Sequence, residues 1–282
     1  MPFDGLRVLS LESRRSAEIE RLIRSQGGVC FVAPSMREVP LEDNRIAFEF
    51  AARLFGFGKS REGTTGGDFD MVIFLTGVGA RLLNQILETR YPPASLAEAL
   101  RKVAVVVRGS KPLAVMREWG VPVAVSVPEP NTWREVLAAT EGRPEKRIAV
   151  QEYGRPTPEL IEGLRRRAAE VTTVPVYQWE FPEDLGPLRE AARRLIAEDF
   201  DVVLLTTSMQ LPHLFRVAAE QGLEDQVRTA LKRVVIASVG PTTTAMLGEL
   251  GLKPDFEPSH PKMGFLVNET AARAKEILQS KR

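Results

Sequence analysis

Residues 71–79 read MVIFLTGVG, and the prediction of the fold starts from this stretch. Met71–Leu75 is a short and continuously apolar run, which predicts a strand covered on both faces of a parallel sheet. Thr76-Gly77-Val78-Gly79 follows as a turn, and Ala80–Thr89 continues with the periodicity of a helix. The stretch therefore predicts one strand–turn–helix unit of an α/β fold.

The same succession of strand and helix recurs along the chain. Runs rich in Val, Ile and Leu predict strands at Arg7–Leu11, Met71–Leu75, Val103–Val107, Arg147–Val150, Val202–Leu205 and Val234–Ala237. Helical periodicity predicts helices at Ser16–Ser25, Ala80–Thr89, Pro158–Ala169, Leu188–Glu198 and Thr242–Leu250. This alternation predicts doubly wound parallel sheets.

Three sequence blocks occur twice, in the same order and with offsets of about 130 to 141 residues. The recurring pairs are Leu75-Thr76-Gly77 with Leu205-Thr206-Thr207, Val107–Pro112 with Ser238–Thr243, and Arg7–Pro34 with Arg147–Pro175. Such order predicts duplication of one α/β unit. The expected result is two similar domains with a ligand-binding cleft between them.

Two extended, proline-containing segments decide where the domains divide. Pro34–Pro40 and Val174–Phe181 each follow the second strand of their half. If both cross between domains, residues 1–36 and 178–282 form one discontinuous domain, and residues 37–177 form the other. A single cut near Glu141–Lys146 is the alternative. The glycine-rich segment Gly56–Asp68 is interpreted as a mobile surface loop.

Composition excludes several classes of function. Lys and Arg total 38 while Asp and Glu total 37, so the net charge of +1 predicts no general attraction to nucleic acid or to an anionic membrane. No run approaches the ~20 apolar residues that span a bilayer, and the first residues lack a signal-peptide pattern, so a cytoplasmic protein is expected. The chain lacks glycine-rich nucleotide motifs and has one cysteine and two distant histidines, so neither cofactor nor metal is expected.

Five predicted loops at the carboxyl ends of strands are rich in glycine and hydroxyl residues, and open α/β sheets bind ligands at such ends. The loops are Thr76–Gly79, Arg108–Lys111, Tyr153–Arg155, Thr206–Ser208 and Gly240–Thr243. Glycine lets a ligand approach the backbone and a helix N-terminus supplies N–H donors, so the set predicts a site for carboxylates or phosphates. The alternative is that Thr and Ser only cap helices.

Arginines also follow several of the predicted strands. They are Arg14, Arg15, Arg108 and Arg155. A guanidinium group pairs bidentately with a carboxylate, so these side chains are candidates for binding an anionic ligand. The alternative is that each is an isolated surface residue.

These loops resemble those of the uroporphyrinogen-III synthase family, and the resemblance covers nearly the whole chain. It rests on Arg14 or Arg15 with Gly27-Gly28, Phe74–Gly79, Val106–Pro112 with Glu118–Gly120, Tyr153–Pro156, Val174–Trp179, Leu205–Ser208, and Ser238–Thr244 with Glu249–Gly251. The Ser238–Thr244 motif is the most specific. The chain departs from the usual pattern at Gly77, where many members have serine, and at Met209, where a small residue is more usual.

The resemblance implies two flavodoxin-like domains joined by a two-stranded linker. It also implies cofactor-independent cyclisation of hydroxymethylbilane, a linear tetrapyrrole with eight carboxylates, to uroporphyrinogen III with inversion of ring D and loss of water. Tyr177 is then the candidate acid for the departing hydroxyl, and the alternative is that Tyr177 only packs in the linker. The residues implied to bind substrate are Arg14, Thr76, Gly77, Val78, Arg108, Gly109, Ser110, Tyr153, Gly154, Arg155, Thr207, Ser208, Met209, Gly240, Pro241, Thr242 and Thr243.

The expected partners are the small-molecule substrate and, transiently, hydroxymethylbilane synthase, and the expected state is a monomer. Two other functions stay open. One is a non-catalytic, two-lobed protein that binds a tetrapyrrole or another polyanion. The other is an unrelated two-domain transferase for a small anionic substrate, which the lack of a nucleotide motif disfavours.

Overall fold

The computed structural model describes residues 2–57, 67–152, 154, 156–167 and 169–281. Its internal contacts divide the chain into two compact units, of which the first contains Met1–Arg37 with Glu180–Arg282 and the second contains Glu38–Trp179. These divisions lie within two residues of the expected domain boundaries. That each unit folds as an independent domain stays a prediction. Within the described ranges, no helix has the length and apolar character needed to cross a membrane.

Strands and helices alternate through most of the chain. The strands are β1 (Arg7–Ser10), β2 (Val29–Val32), β3 (Arg37–Pro40), β4 (Met71–Phe74), β5 (Ala104–Val107), β6 (Val125–Ser126), β7 (Arg147–Gln151), β8 (Glu170–Val174), β9 (Tyr177–Glu180), β10 (Val202–Leu205) and β11 (Val235–Ser238). The helices are α1 (Ser16–Ser25), α2 (Arg45–Phe55), α3 (Gly77–Glu88), α4 (Ser95–Leu100), α5 (Ser110–Glu118), α6 (Trp133–Ala139), α7 (Pro158–Arg165), α8 (Gly186–Ile196), α9 (Gln210–Ala219), α10 (Glu224–Leu231), α11 (Pro241–Glu249) and α12 (Met263–Lys281).

The first unit is built on a four-stranded parallel sheet in the order β11-β10-β1-β2. Apolar side chains cover both faces of this sheet. Along β10, Val203 and Leu205 pack in a cluster with side chains of α8, α9 and α10, whereas Val202 and Leu204 pack with side chains of α1 and α12. Burial on both faces explains why this strand is apolar at every position.

The second unit is built on a five-stranded parallel sheet in the order β6-β5-β4-β7-β8. Every residue of β4 is buried, as the continuous apolar run at 71–75 predicts. The chain passes between the units within β3 and β9, which pair as a two-stranded sheet. Beside it, the backbone N–H of Leu41 donates to the carbonyl of Val176 at 3.3 Å.

The two large sheets have the same strand order once the sequence repeat is taken into account. In the repeat, β1, β2, β10 and β11 correspond to β7, β8, β4 and β5, so β11-β10-β1-β2 matches β5-β4-β7-β8. A counterpart of β6 lies beside β11, where Ala237 and Phe256 form an isolated parallel bridge. Each unit therefore combines the start of one sequence half with the end of the other. The predicted fold class, α/β with two similar parallel sheets, is confirmed.

The predicted strands and helices occur with small shifts at their ends. Helix α3 begins at Gly77 and not at Ala80, because the side chain of Thr76 caps it. Helix α7 ends at Arg165, short of the predicted Ala169, since β8 begins at Glu170. No bounds were predicted from the sequence for strand β6 or for the helices α2, α4, α5, α6, α9, α10 and α12. Most of the glycine-rich segment 56–68 lies outside the described residues.

An Asp–Arg ion pair joins the two central strands of each large sheet at their amino ends. In the second unit, Asp70 precedes β4 and accepts from Arg147 of β7, with 2.9 Å to the backbone N and 2.5 Å to Nη2. In the first unit, Asp201 precedes β10 and accepts from Arg7 of β1, with 2.8 Å to the backbone N and 3.0 Å to Nε. Hydrogen bonds from the Arg147 side chain hold the pKa of Asp70 below its usual range. The Asp201 carboxylate raises the pKa of Arg7.

Replacing Asp70 with asparagine tests the role of this ion pair in stability. Asp70→Asn should lower the free energy of unfolding by about 1.5 kcal/mol near neutral pH, the low end for a charged hydrogen bond, because the side chain is 31% exposed. The folded-state pKa of Asp70 is lowered, so its stabilisation is present above the unfolded pKa of about 3.9 and is lost as the pH falls through the folded value. Denaturant titrations along this pH range measure the difference.

The exposed carboxylate Glu141 provides the matched control in the same unit. Glu141→Gln should leave the free energy of unfolding within about 0.5 kcal/mol of the parent protein. Equal loss of stability in both variants would contradict the role given to Asp70.

Candidate functional site

Loops of the second unit meet at the carboxyl ends of β4, β5 and β7. Backbone hydrogen bonds join these loops to the neighbouring strands. The N–H of Arg108 donates to the carbonyl of Phe74 at 3.0 Å, and the N–H of Leu75 donates to the carbonyl of Gln151 at 3.3 Å. The structure thereby brings the predicted residues of 76–78, 108–110 and Gly154 to one edge of one sheet.

Thr76 forms the transition from β4 to helix α3. Its backbone is extended, with φ −144° and ψ 149°, and its Oγ1 accepts from the N–H of Gly79 at 3.0 Å. Gly77 and Val78 are then the first helical residues, and N–H groups at these positions have no acceptor within their own helix. Together with the positive end of the helix dipole, they suit a carboxylate ligand.

Tyr177, the predicted acid, lies beside this turn. It opens β9, it is 3% exposed, and its Oη lies 3.3 Å from Thr76 Oγ1. Either hydroxyl can donate in this contact. The structure therefore places the predicted acid next to a predicted binding residue.

Two glycines allow the close packing of this edge. A Cβ atom on Gly77 would lie 2.9 Å from the backbone oxygen of Lys111, so the first turns of α3 and α5 approach too closely for a side chain. This contact gives a physical reason for the glycine at position 77. Gly154 has φ +64°, and its Cβ would lie 2.8 Å from the ring of Trp179.

The loop after β5 holds a guanidinium group at the same edge. Arg108 is half-buried, and its Nε donates to the carbonyl of Leu75 at 3.2 Å. Gly109 follows in the left-handed region, with φ +85°, and Ser110 opens α5 with an exposed side chain. This bond from Nε holds Arg108 at the strand edge.

The first unit has a corresponding set of loops, but there backbone N–H groups donate to a side chain of the same unit. The carboxylate of Glu12, after β1, accepts from Thr206 Oγ1, after β10. The buried Gln210 side chain accepts from the N–H groups of Thr206 at 2.7 Å and Thr207 at 3.2 Å. The loop Thr206–Ser208 was expected to supply backbone donors to a ligand, and the structure satisfies these two N–H groups internally.

The remaining predicted residues of the first unit differ in exposure. Ser208 and Thr243 are 6% and 4% exposed, so both residues are largely inaccessible to a ligand, and the N–H of Thr243 donates to the carbonyl of Gly240 at 3.0 Å. Gly240 is buried, Met209, Pro241 and Thr242 are partly exposed, and Arg14 is exposed. Tyr153 and Arg155, which the sequence also predicts as binding residues, lie outside the described residues. Among the residues that the structure describes, no group of His, Cys, Asp and Glu could hold a metal ion.

Both units have the parallel α/β sheet that the resemblance of the loop motifs implies. Comparison with known protein families agrees with that resemblance. The family model for uroporphyrinogen-III synthase HemD matches residues 17–268. The chain belongs to the uroporphyrinogen-III synthase family. A relative from Methanothermobacter thermautotrophicus named "Putative uroporphyrinogen-III synthase" is 30% identical over 243 residues, covering 84% of this chain and 87% of its own. "Uncharacterized protein YjjA" of Bacillus subtilis is 28% identical over 270 residues and 95% of both chains.

Solved structures of uroporphyrinogen III synthases share the fold. A mutant of the Thermus thermophilus enzyme aligns with a TM-score of 0.70 and 23% identity, covering 98% of this chain and all of the other. The Helicobacter pylori protein aligns with a TM-score of 0.51 and 13% identity over 98% of this chain. At these identities the likeness concerns the fold alone.

Two buried glutamates at the strand ends were not among the candidate site residues predicted from the sequence. Glu12 follows β1 and Glu152 follows β7, at equivalent positions of the repeated opening block, and each is 7% exposed. Burial raises the pKa of Glu152, and a hydrogen bond from the backbone of Thr157 opposes that rise. Their equal offset from the repeated strands was a signal that could have found them.

An alanine at Gly77 tests whether the close approach of α3 and α5 is required. Gly77→Ala places a Cβ against the backbone of Lys111, which cannot rotate away. We therefore expect the free energy of unfolding to fall by about 1–3 kcal/mol. Denaturant unfolding measures this change. Gly248→Ala is the control because a Cβ there meets open space in α11. Equal stability of Gly77→Ala and the control would show that the approach of α3 and α5 does not require glycine at position 77.

Proposed function

We propose that this protein is a uroporphyrinogen-III synthase, which cyclises hydroxymethylbilane to uroporphyrinogen III with inversion of ring D and loss of water. The observation that carries the proposal is the Tyr177 phenol, 3.3 Å from the Thr76 hydroxyl at a strand edge that holds the predicted binding loops. Membership of the family and the name of the Methanothermobacter relative support the same activity.

The reaction needs a proton donor at the leaving hydroxyl. A phenol keeps its proton at neutral pH and can therefore act as a general acid. Tyr177 gives its proton to the hydroxyl as the bond between carbon and oxygen breaks, and the oxygen leaves as water. Ring D then attacks the electron-poor carbon through the carbon that carries its bridge to ring C, which gives a spiro intermediate. The bond from that ring D carbon to the bridge breaks, and the bridge bonds instead to the free α carbon of ring D, whose proton is lost and can restore the Tyr177 phenol. The near-complete burial of Tyr177 shields this step from bulk water.

Binding the carboxylates of the substrate is the second requirement. In the second unit, the N–H groups of Gly77 and Val78 at the start of α3 and the guanidinium of Arg108 are suited to this role. We assign further carboxylates to Arg14 and to the partly exposed residues Met209, Pro241 and Thr242 of the first unit. Holding a flexible linear substrate in a ring-like shape lowers the barrier itself, since well-oriented intramolecular reactions gain about 7–11 kcal/mol.

A second function is favoured by one observation, the 3% exposure of Tyr177. A phenol that only packs in the linker would be equally buried. In that case the protein would bind a tetrapyrrole or another polyanion without turnover.

The proportion of product isomers decides between these functions. Freshly generated hydroxymethylbilane closes spontaneously to isomer I, whereas the proposed enzyme gives isomer III. Chromatography of the oxidised uroporphyrins should show isomer III only when the folded protein is present. Isomer I alone, from a folded sample, would favour the binding protein.

Replacing the Tyr177 phenol tests the role of the acid. Tyr177→Phe should lower kcat for isomer III by about 10²-fold or more, because a general acid contributes that much. The melting temperature should change little, since one uncharged hydrogen bond contributes about 1 kcal/mol.

Tyr91 supplies the matched control, because its ring packs against Phe55 and Phe57 in the same unit. Tyr91→Phe removes a phenol hydroxyl away from the Thr76 turn and should leave kcat unchanged. An unaltered rate in Tyr177→Phe would rule out the acid role of its hydroxyl.

A further inference from the structure

We propose that Thr76 is a positioning residue that fixes the Tyr177 phenol and stabilises the phenolate formed when Tyr177 has given up its proton. The kinetic consequence of this inference rests on the proposed function, but its physical basis does not. It rests on the contacts of one hydroxyl group that links the start of α3 to Tyr177.

The hydrogen-bond geometry around Thr76 gives its hydroxyl a direction. A hydroxyl has one hydrogen to donate and two lone pairs to accept with. The N–H of Gly79 donates to Thr76 Oγ1 at 3.0 Å and occupies one lone pair. The Tyr177 Oη, at 3.3 Å, can donate to the second lone pair while it holds its proton. Once Tyr177 has lost that proton, it can accept the hydrogen of Thr76 instead.

The surroundings hold both partners in place. The backbone N–H of Thr76 donates to Gln151 Oε1 at 3.3 Å, which ties the turn to the end of β7. A Cβ on Gly79 would overlap the side-chain amide of Gln151, so glycine lets this amide approach the turn. Tyr177 itself is buried in the core of the second unit. The two hydroxyl groups are therefore held close to each other by the surrounding structure.

Helix α3 adds an electrostatic contribution. Its 12 residues begin directly after Thr76, so the positive end of the helix dipole lies at this turn. A developing negative charge on the Tyr177 oxygen is favoured at such a position. The Gly79 N–H polarises the Thr76 hydroxyl in the same sense and makes it a better donor.

The first unit shows that this arrangement is not a general property of the repeat. Thr206 occupies the position equivalent to Thr76, but its Oγ1 donates to the carboxylate of Glu12 and accepts from Gln210 Nε2 at 2.8 Å. The two equivalent threonines therefore contact a carboxylate in the first unit and a phenol in the second. This difference marks the second unit as the one that carries the acid.

The decisive experiment follows the ionisation of residue 177 directly. A fluorinated tyrosine is incorporated at position 177 of the full chain, because its fluorines bring phenol ionisation into a pH range where the protein stays folded. The fluorine NMR shift is then recorded against pH. Thr76→Val should raise the pH midpoint of ionisation by about one unit, the equivalent of one hydrogen bond to a charged group. Thr76→Ser, which keeps the hydroxyl, should restore the midpoint.

Thr132→Val supplies the control for the loss of a helix cap. Thr132 caps α6 in the same unit and its Oγ1 accepts from the N–H of Arg134 at 3.2 Å. This variant loses a comparable cap, so its stability should fall like that of Thr76→Val. The midpoint of residue 177 should stay at the parent value.

The outcomes separate this inference from the proposed function. A midpoint that does not move in Thr76→Val, or that moves equally in Thr132→Val, overturns the positioning role even if the protein makes isomer III. A specific rise that Thr76→Ser reverses supports the role even if no isomer III is formed. In an active protein, Thr76→Val should also lower kcat by about tenfold, the loss that corresponds to one pH unit of ionisation. Loss of kcat with an unmoved midpoint would assign Thr76 to the substrate and contradict the inference.

Discussion

The structure depends on the parallel pairing of strands from opposite halves of the sequence. In the first unit β1 lies beside β10, and in the second unit β4 lies beside β7. An Asp–Arg ion pair joins the two strands of each pair at their amino ends. The aspartate precedes one strand and the arginine is the first residue of the other, as in Asp201 with Arg7 and Asp70 with Arg147. Neither half can complete a sheet alone, because each central pair takes one strand from each half.

This pairing also creates the candidate site. Parallel neighbours end at the same edge, so the turn after β4 and the residues after β7 are adjacent although more than 70 positions separate them in the sequence. Gln151 at the end of β7 then bonds to Thr76 after β4, and Thr76 contacts Tyr177. Helix N-termini follow at the same edge. Ion pairs thus lie at one end of the central strands and the candidate site lies at the other, where open α/β sheets bind ligands.

The sequence predicts the fold well because its signals are local and repeated. Apolar runs such as Met71–Leu75 identify strands that are buried on both faces, and the repeated blocks predict two similar sheets. The two extended proline-containing segments also contain the strands β3 and β9, in which the chain passes between the units. Shifts at helix ends arise from caps, as at Thr76, where the side chain extends the helix by one turn.

The candidate site is less predictable because its contacts join distant residues. Nothing local in the sequence indicates that Gln210 satisfies the N–H groups of Thr206 and Thr207, or that Ser208 and Thr243 are buried. The contact of Thr76 with Tyr177 joins residues 101 positions apart. The repeated Asp–Arg pairs could have been found, since Asp70 and Asp201 occupy equivalent positions before their strands, but only by comparing the halves residue by residue.

Carbon-13 NMR of the product from doubly labelled hydroxymethylbilane tests the proposed ring inversion most directly. One label is placed at the hydroxymethyl carbon and the other at the ring D carbon that carries the bridge to ring C. Inversion of ring D joins these two carbons, so we expect a one-bond carbon–carbon coupling in the product made by this protein. A product without that coupling would show closure without inversion and would rule out the proposed synthase activity.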